Sequence, residues 1–159
     1  MGVCMDLSND PNKLSFHSSY KKLDEILIII LETVIDYIKY CSFDQNYQHL
    51  YFLDFLHDFE KNQSKLLLFD HTNKKGFLIE ILKKNVDLLD KLELSAIYYF
   101  INVLNLHENK VSYQNSLKIM SFINKINDFI QENEIKKDVI KLKNLFEVSF
   151  YNKQDICIR

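Results

Sequence analysis

The chain is poor in the residues that break, bend and brace a backbone. Its 159 residues include one alanine, one arginine, one proline, two glycines and no tryptophan. Alanine, arginine, proline and glycine all have GC-rich codons, so their joint scarcity points to an AT-rich coding sequence. Two isolated glycines, Gly2 and Gly76, cannot build a phosphate-cradling loop, which excludes P-loop and dinucleotide-binding enzymes. With Arg159 the only arginine, bidentate recognition of phosphate or guanine has no donor in the body of the chain. The three cysteines, Cys4, Cys41 and Cys157, are odd in number and widely spaced. That pattern suggests neither a disulfide framework nor a zinc site, and it fits a reducing compartment such as the cytoplasm. The longest apolar run, residues 26–31, is bounded by Asp24, Glu25 and Glu32 and falls far short of the roughly 20 residues of a membrane helix. Residues 1–11 carry acids where a secretory leader would be basic, so no targeting signal is expected.

What is present is ample material for a core. Hydrophobic residues make up 47% of the chain and charged residues 26%, within the globular range and outside the signature of disorder. A chain of this length is expected to form one domain that buries roughly 70% of its unfolded surface. The net charge of −2 hides an asymmetry. Asp24, Glu25, Glu32, Asp36, Asp44, Asp54, Asp58 and Glu60 face Lys39 alone between residues 24 and 60, a net −7. The remainder is therefore basic, with much of its charge on Lys83, Lys84, Lys136, Lys137, Lys141 and Lys143.

The apolar spacing is helical over long windows. Residues 1–17 mix polar residues with isolated apolar ones and read as an irregular arm; residues 153–159 read as a tail, leaving a helical domain over 18–152. Ser18 or Ser19 caps a first helix in which Leu23, Ile26, Leu27, Ile30, Val34, Ile38 and Cys41 recur at i, i+3, i+4 spacing. Asp44 suits the N-cap of a second helix, reaching about Lys61, that carries Tyr47, Tyr51, Phe52, Phe55 and Phe59. Thr72 or Asn73 opens a third helix, with Gly76 in its first turn, and a turn-like stretch follows over 85–92. The segment holding Leu94, Ile97, Ile101 and Leu104 is apolar nearly all round and predicts a central helix. Ser112 caps a long helix, and Ile135, Val139, Leu142 and Phe146 mark a last one. The expectation is an all-α domain of six or seven helices around that central apolar helix. No Asn-Gly or Asp-Gly hairpin signal occurs.

The cluster that most resembles a catalytic one is Asp54, His57 and Asp58, whose spacing puts Asp54 on one helical face with both partners, as a metal site or an acid–base pair requires. Adjacent carboxylates more often simply solvate a helix, and the sequence supplies no further ligand. A Cys/His catalytic pair needs a fold contact that spacing does not reveal. Lys136, Lys137, Lys141 and Lys143 can touch phosphates, but Glu134, Asp138 and Glu147 interrupt them, so no nucleic-acid partner is expected. The acidic surface over 24–60 carries the functional content: its field attracts a basic partner and speeds its association. Nine tyrosines and twelve phenylalanines exceed what one small core hides, and amphipathic rings suit protein interfaces.

Asp36-Tyr37-Ile38-Lys39-Tyr40 leading into Leu50-Tyr51-Phe52-Leu53 resembles the early helices of poxviral Bcl-2-like proteins, and the helical stretch over 76–126 is similar to armadillo or HEAT packing. The first resemblance implies a modulator that captures a host signalling protein in a hydrophobic groove. The charge pattern leads to a different expectation. It describes a non-enzymatic protein-binding module, most concretely an inhibitor or immunity-type protein that blocks a basic site on a nuclease-like toxin. Asp36, Asp54, Asp58 and Glu60 supply the charge and Tyr47 and Tyr51 the apolar anchors, with no cofactor, metal or membrane involved. A helical metal-dependent enzyme built on Asp54, His57 and Asp58 is the remaining alternative.

Overall fold

A computed structural model describes residues 1–7, 14–43 and 50–159, with the side chains of Leu50 and Tyr51 left aside. The elements in order are β1 (Gly2–Leu7), β2 (Ser15–Ser19), α1 (Tyr20–Ser42), α2 (Leu50–Leu66), α3 (His71–Lys84), α4 (Val86–Lys91), α5 (Ala96–Leu104), β3 (Lys110–Val111), α6 (Tyr113–Ile126), a 3-10 turn (Asn127–Phe129), α7 (Asn133–Asn152) and β4 (Ile156–Ile158). The fold is mostly helical, as the periodicity predicts. The chain divides into two compact units, one of Met1–Leu27 with Ala96–Arg159 and one of Ile28–Ser95.

In the first unit the strands form an antiparallel sheet of order β2-β1-β4-β3. Residues 1–17 and 153–159, expected as an irregular arm and a tail, thus supply β1, β4 and much of β2. The reason lies in the pleat, which sends alternate residues to opposite faces. One face aligns Phe16, Met5 and Ile158, and next to them Leu7, Ile156 and Val111, as cross-strand neighbours. These rows bury apolar surface that no isolated strand can bury. The other face aligns His17, Cys4 and Arg159, and then Ser15, Asp6, Cys157 and Lys110.

The helices of this unit pack by their predicted faces. Ser19 Oγ accepts from the Lys22 N–H at 3.2 Å and caps α1, and Ser112 Oγ accepts from the Asn115 N–H at 3.3 Å and caps α6. The central apolar helix is α5. Its Phe100 is fully buried, with the rings of Phe122 on α6 and Phe146 on α7 at 5.9 and 6.2 Å between centroids. Where α6 and α7 meet, Ser149 Oγ donates to the Gln154 carbonyl at 2.6 Å and lies 2.8 Å from Ser116 Oγ, so the buried hydroxyls satisfy each other. Helix α7 ends on Lys153 in the left-handed conformation (φ 53°), from which the chain turns into β4.

In the second unit, α1 from Ile28 onward, α2, α3 and α4 supply the apolar stripes. Ile35, Phe55, Phe59, Leu78, Leu82 and Leu89 are buried. Three boundaries differ from expectation. Helix α2 continues past Lys61 to Leu66, and the expected turn over 85–92 contains the short helix α4. Asp70, rather than Thr72 or Asn73, opens α3: its Oδ1 accepts from the Asn73 N–H at 2.9 Å. Carboxylates at this position also favour the helix dipole. This places Gly76 beyond the first turn of α3. The expected cap Asp44 lies outside the described residues.

Candidate functional site

The acidic segment becomes a groove in the second unit. Glu32, Ile35 and Asp36 sit at i, i+3 and i+4 on α1 and form one wall; Phe59, Glu60 and Gln63 on α2 form the other, continued by Ser64, Leu66 and Leu67, and Lys74 and Leu78 on α3 close one end. The groove encloses about 530 Å³. Its base is apolar, through the buried side chains of Ile35, Phe59, Leu66 and Leu78, while Leu67 at the margin is 87% exposed. Lys74 Nζ pairs with the Glu32 carboxylate. Lys39 Nζ lies over the Phe59 ring, 5.4 Å from its centroid.

Asp36 is solvent-exposed at the groove, yet its carboxyl is shifted upward from the ordinary aspartate value. Desolvation by the surrounding chain is the main cause; the Glu32 charge one turn earlier adds to it, and Lys39 opposes both. No ion pair or side-chain hydrogen bond satisfies this carboxylate among the described residues. The same is true of Asp54, Asp58 and Glu60, all exposed on α2. Elsewhere in the acidic segment the charge is answered internally: Glu32 by Lys74 and Glu25 by Lys22 at 3.9 Å.

The structure therefore sorts the expected site residues. Asp36 and Glu60 share the groove. Asp58 faces away from it and, with Phe55, Asn62, Phe77, Glu80 and Lys84, lines a smaller recess of about 110 Å³ between α2 and α3. Helical geometry accounts for the split, since two residues along α2 rotate a side chain by about 200°. Asp54, one turn before Asp58, lines neither recess. Tyr47 lies outside the described residues, as does the side chain of Tyr51. Among the described residues no group of three or more His, Cys, Asp or Glu side chains is placed to hold a metal ion. Asp54, His57 and Asp58 are all exposed on α2.

Sequence reasoning missed a second polar cluster, on the sheet. Strand pairing puts Cys4 opposite His17, with Cys4 Sγ 3.7 Å from His17 Nε2, and Ser15 Oγ lies 2.9 Å from the same nitrogen. This is the Cys/His contact that spacing could not reveal; its sequence signal is the strict alternation Val3, Met5, Leu7, which sends Cys4 and Asp6 together to the opposite face. The thiol, however, donates to Asp6 Oδ2 at 3.5 Å, and the Asp6 side chain is buried, with Arg159 Nη2 3.5 Å from its Oδ1. Burial, the hydrogen bond to Asp6 and the Asp6 charge push the Cys4 thiol up, and Arg159 only partly offsets them. A nucleophilic cysteine needs the reverse, a stabilised thiolate. The pair has the contact of a Cys/His dyad, with the thiol shifted away from the thiolate.

Two of the α7 lysines, Lys137 and Lys141, are engaged within the fold. Lys137 pairs with Glu134 at 3.0 Å and Lys141 with Asp138 at 3.5 Å, and Asp138 also meets Lys22 at 3.7 Å. No helix among the described residues is long and apolar enough to cross a membrane. No protein-family model, no curated protein and no solved structure matches the chain.

Proposed function

We propose that this chain is a non-enzymatic protein-binding module whose acidic helical surface occludes a basic site on another protein, as an inhibitor or immunity protein occludes a nuclease toxin. One observation carries the reading: Asp36, Asp54, Asp58 and Glu60 are exposed and none of them forms an ion pair among the described residues, Lys39 acting on Asp36 only at longer range. Such charges project a field that steers a cationic partner and raises its association rate. Exposed carboxylates need no partner to stay in water, so the test is kinetic. Association with a basic protein partner is expected to slow as salt rises, because exposed charges are screened beyond about 8 Å at physiological ionic strength. Reversing Asp54 and Asp58 to Lys slows it on the order of tenfold at low salt, while Lys136→Glu with Lys137→Glu leaves it unchanged or faster. A rate independent of salt and of the Asp54/Asp58 reversal rejects the reading.

A second reading rests on a different observation. Leu67 and Leu68 are 87% and 85% exposed at the end of α2, beside the apolar base of the groove. Leucines left in water next to a groove suit a module that holds an apolar segment of a signalling protein. Under this reading Leu67→Glu weakens binding more than charge reversal at Asp54 does.

A further inference from the structure

We propose that Cys4 and His17, facing each other across β1 and β2, bind one copper(I) ion between Sγ and Nε2. The site belongs to the sheet-bearing unit and does not depend on the protein-binding reading. Its geometry begins in the backbone. The N–H and C=O of Cys4 both bond to Arg159, each at 2.9 Å, so they point toward β4 and away from β2. Cys4 and His17 are therefore a non-hydrogen-bonded pair, the kind whose side chains approach most closely. Sγ and Nε2 lie 3.7 Å apart. A metal about 2.3 Å from a thiolate sulfur and about 2.0–2.1 Å from an imidazole nitrogen spans that distance with about 115° between its bonds, a value between tetrahedral and trigonal. The two strands thus hold two metal-ligating atoms at the spacing of neighbouring ligands.

The choice of ion follows from donor type, donor number and charge. Thiolate with imidazole suits copper and zinc. Structural zinc takes four ligands, and no third His, Cys, Asp or Glu side chain among the described residues completes a metal-holding group with these two. Copper(I), a soft closed-shell ion, is satisfied by two or three. Asp6 adds the charge argument. Its side chain is buried, its Oδ2 lies 3.5 Å from Cys4 Sγ, and its Oδ1 accepts no hydrogen bond among the described residues, with Arg159 Nη2 3.5 Å away. On binding, the thiol proton leaves to solvent, the sulfur and the imidazole nitrogen each form one bond to the metal, and the copper stays monovalent. Coordination deprotonates a thiol outright, so a thiol that resists ionisation alone is no obstacle. Among the side chains of the cluster, the thiolate and Asp6 then carry two negative charges against the Arg159 guanidinium. A monovalent ion closes this balance, whereas a divalent one overshoots it. Access is open: Cys4 and His17 line a recess of about 500 Å³ with Gly2, Ser19 and Arg159, and His17 is exposed. The Ser15 hydroxyl, 2.9 Å from the same nitrogen, competes for its lone pair.

The test titrates the reduced full chain with copper(I), without oxygen, against a chromophoric copper(I) chelator. One equivalent is expected to bind, with thiolate-to-copper absorption and a rise in melting temperature, because an ion held by both strands favours the folded chain. Cys4→Ser and His17→Gln each lower the affinity at least about tenfold, no less than the loss of an outer-shell partner typically costs, and abolish the rise in melting temperature. Cys157, which pairs with Lys110 rather than with a histidine, serves as control: Cys157→Ser leaves both readouts unchanged. Ser15→Ala leaves the affinity unchanged or tighter. His17 is exposed, so His17→Gln keeps the fold, verified by its far-ultraviolet spectrum, and carries the test should Cys4→Ser misfold. Copper(I) held equally well by the His17→Gln chain, or lost equally in Cys157→Ser, overturns the Cys4–His17 site. A rise in melting temperature with zinc(II) and none with copper(I) overturns the choice of ion.

Discussion

Ion pairs to acidic side chains are concentrated in the sheet-bearing unit, while the helical unit has Glu32–Lys74 and several exposed acids outside any ion pair among the described residues. In the sheet-bearing unit, Asp6 meets the Cys4 thiol and Arg159, Glu134 meets Lys137, Asp138 meets Lys22 and Lys141, and Asp155 takes Lys110 at 2.8 Å and the Tyr113 N–H at 3.0 Å. These contacts leave Asp155 and Glu134 with carboxyls below the ordinary range, each chiefly through a lysine hydrogen bond. In the helical unit, Asp36, Asp54, Asp58 and Glu60 have no such partners among the described residues, and Asp36 is shifted upward instead. Net charge alone does not reveal this contrast. Pairing within the fold separates acids that tie elements together from acids that meet only solvent.

The sharpest way to break the comparison is to cut an apolar side chain in each region. Phe100→Ala, in a fully buried ring contacting Phe122 and Phe146, is expected to destabilise by about 3–5 kcal/mol. Leu67→Ala at the groove margin stays within about 0.5 kcal/mol. Urea titration reads both, and a comparable loss at Leu67 would place it in the core and close the groove. Next in size is the internal hydroxyl pair. Ser149→Ala strands the Gln154 carbonyl and leaves Ser116 Oγ with the Ser112 carbonyl alone, and costs about 1–3 kcal/mol in the same titration.

A gain is expected at Gly76 on α3, where an added Cβ meets nothing within 4 Å and φ is not positive. Gly76→Ala raises the melting temperature by the equivalent of about 0.5–1 kcal/mol. A loss there would mean that this face of α3 is covered.

The smallest effect concerns pH. Because the Asp36 carboxyl is raised in the folded state, the native chain holds that proton more tightly than the unfolded chain does. Its contribution to stability is present below the unfolded value and is lost as pH rises through the folded one. Asp36→Asn should therefore remove a fall in stability on the alkaline side of the ordinary aspartate range, read by denaturant titration across pH 3–7. An unchanged pH profile would show that Asp36 is fully solvated.

The helices were legible because long apolar stripes repeat at 3.6 residues and because Ser19 and Ser112 occupy cap positions that few other residue types fill as well. The sheet was not. Strands of two to six residues present at most three alternations each, and the pairings that give those alternations meaning join the first strand to the last. The acids of the site were legible by count and position. Their division was not, because whether Glu60 and Asp58 share a recess depends on which neighbour packs against each side of α2, and only the tertiary fold supplies α1 on one side and α3 on the other. The Cys4–His17 contact was hidden for the same reason as the sheet.

The central pairing of that sheet also constrains the order of assembly. Met5 pairs with Ile158 and Leu7 with Ile156, so β1 gains its inner neighbour only after the whole helical body has emerged from the ribosome. Closing so long a loop is entropically slow compared with forming α1 or the α6–α7 contact. Until then β1 has β2 on one side and an open row of amide and carbonyl groups on the other, flanked by Val3, Met5 and Leu7. During synthesis the nascent chain therefore carries a sticky half-sheet. That edge is open to pairing with another strand until the three residues of β4 cover it.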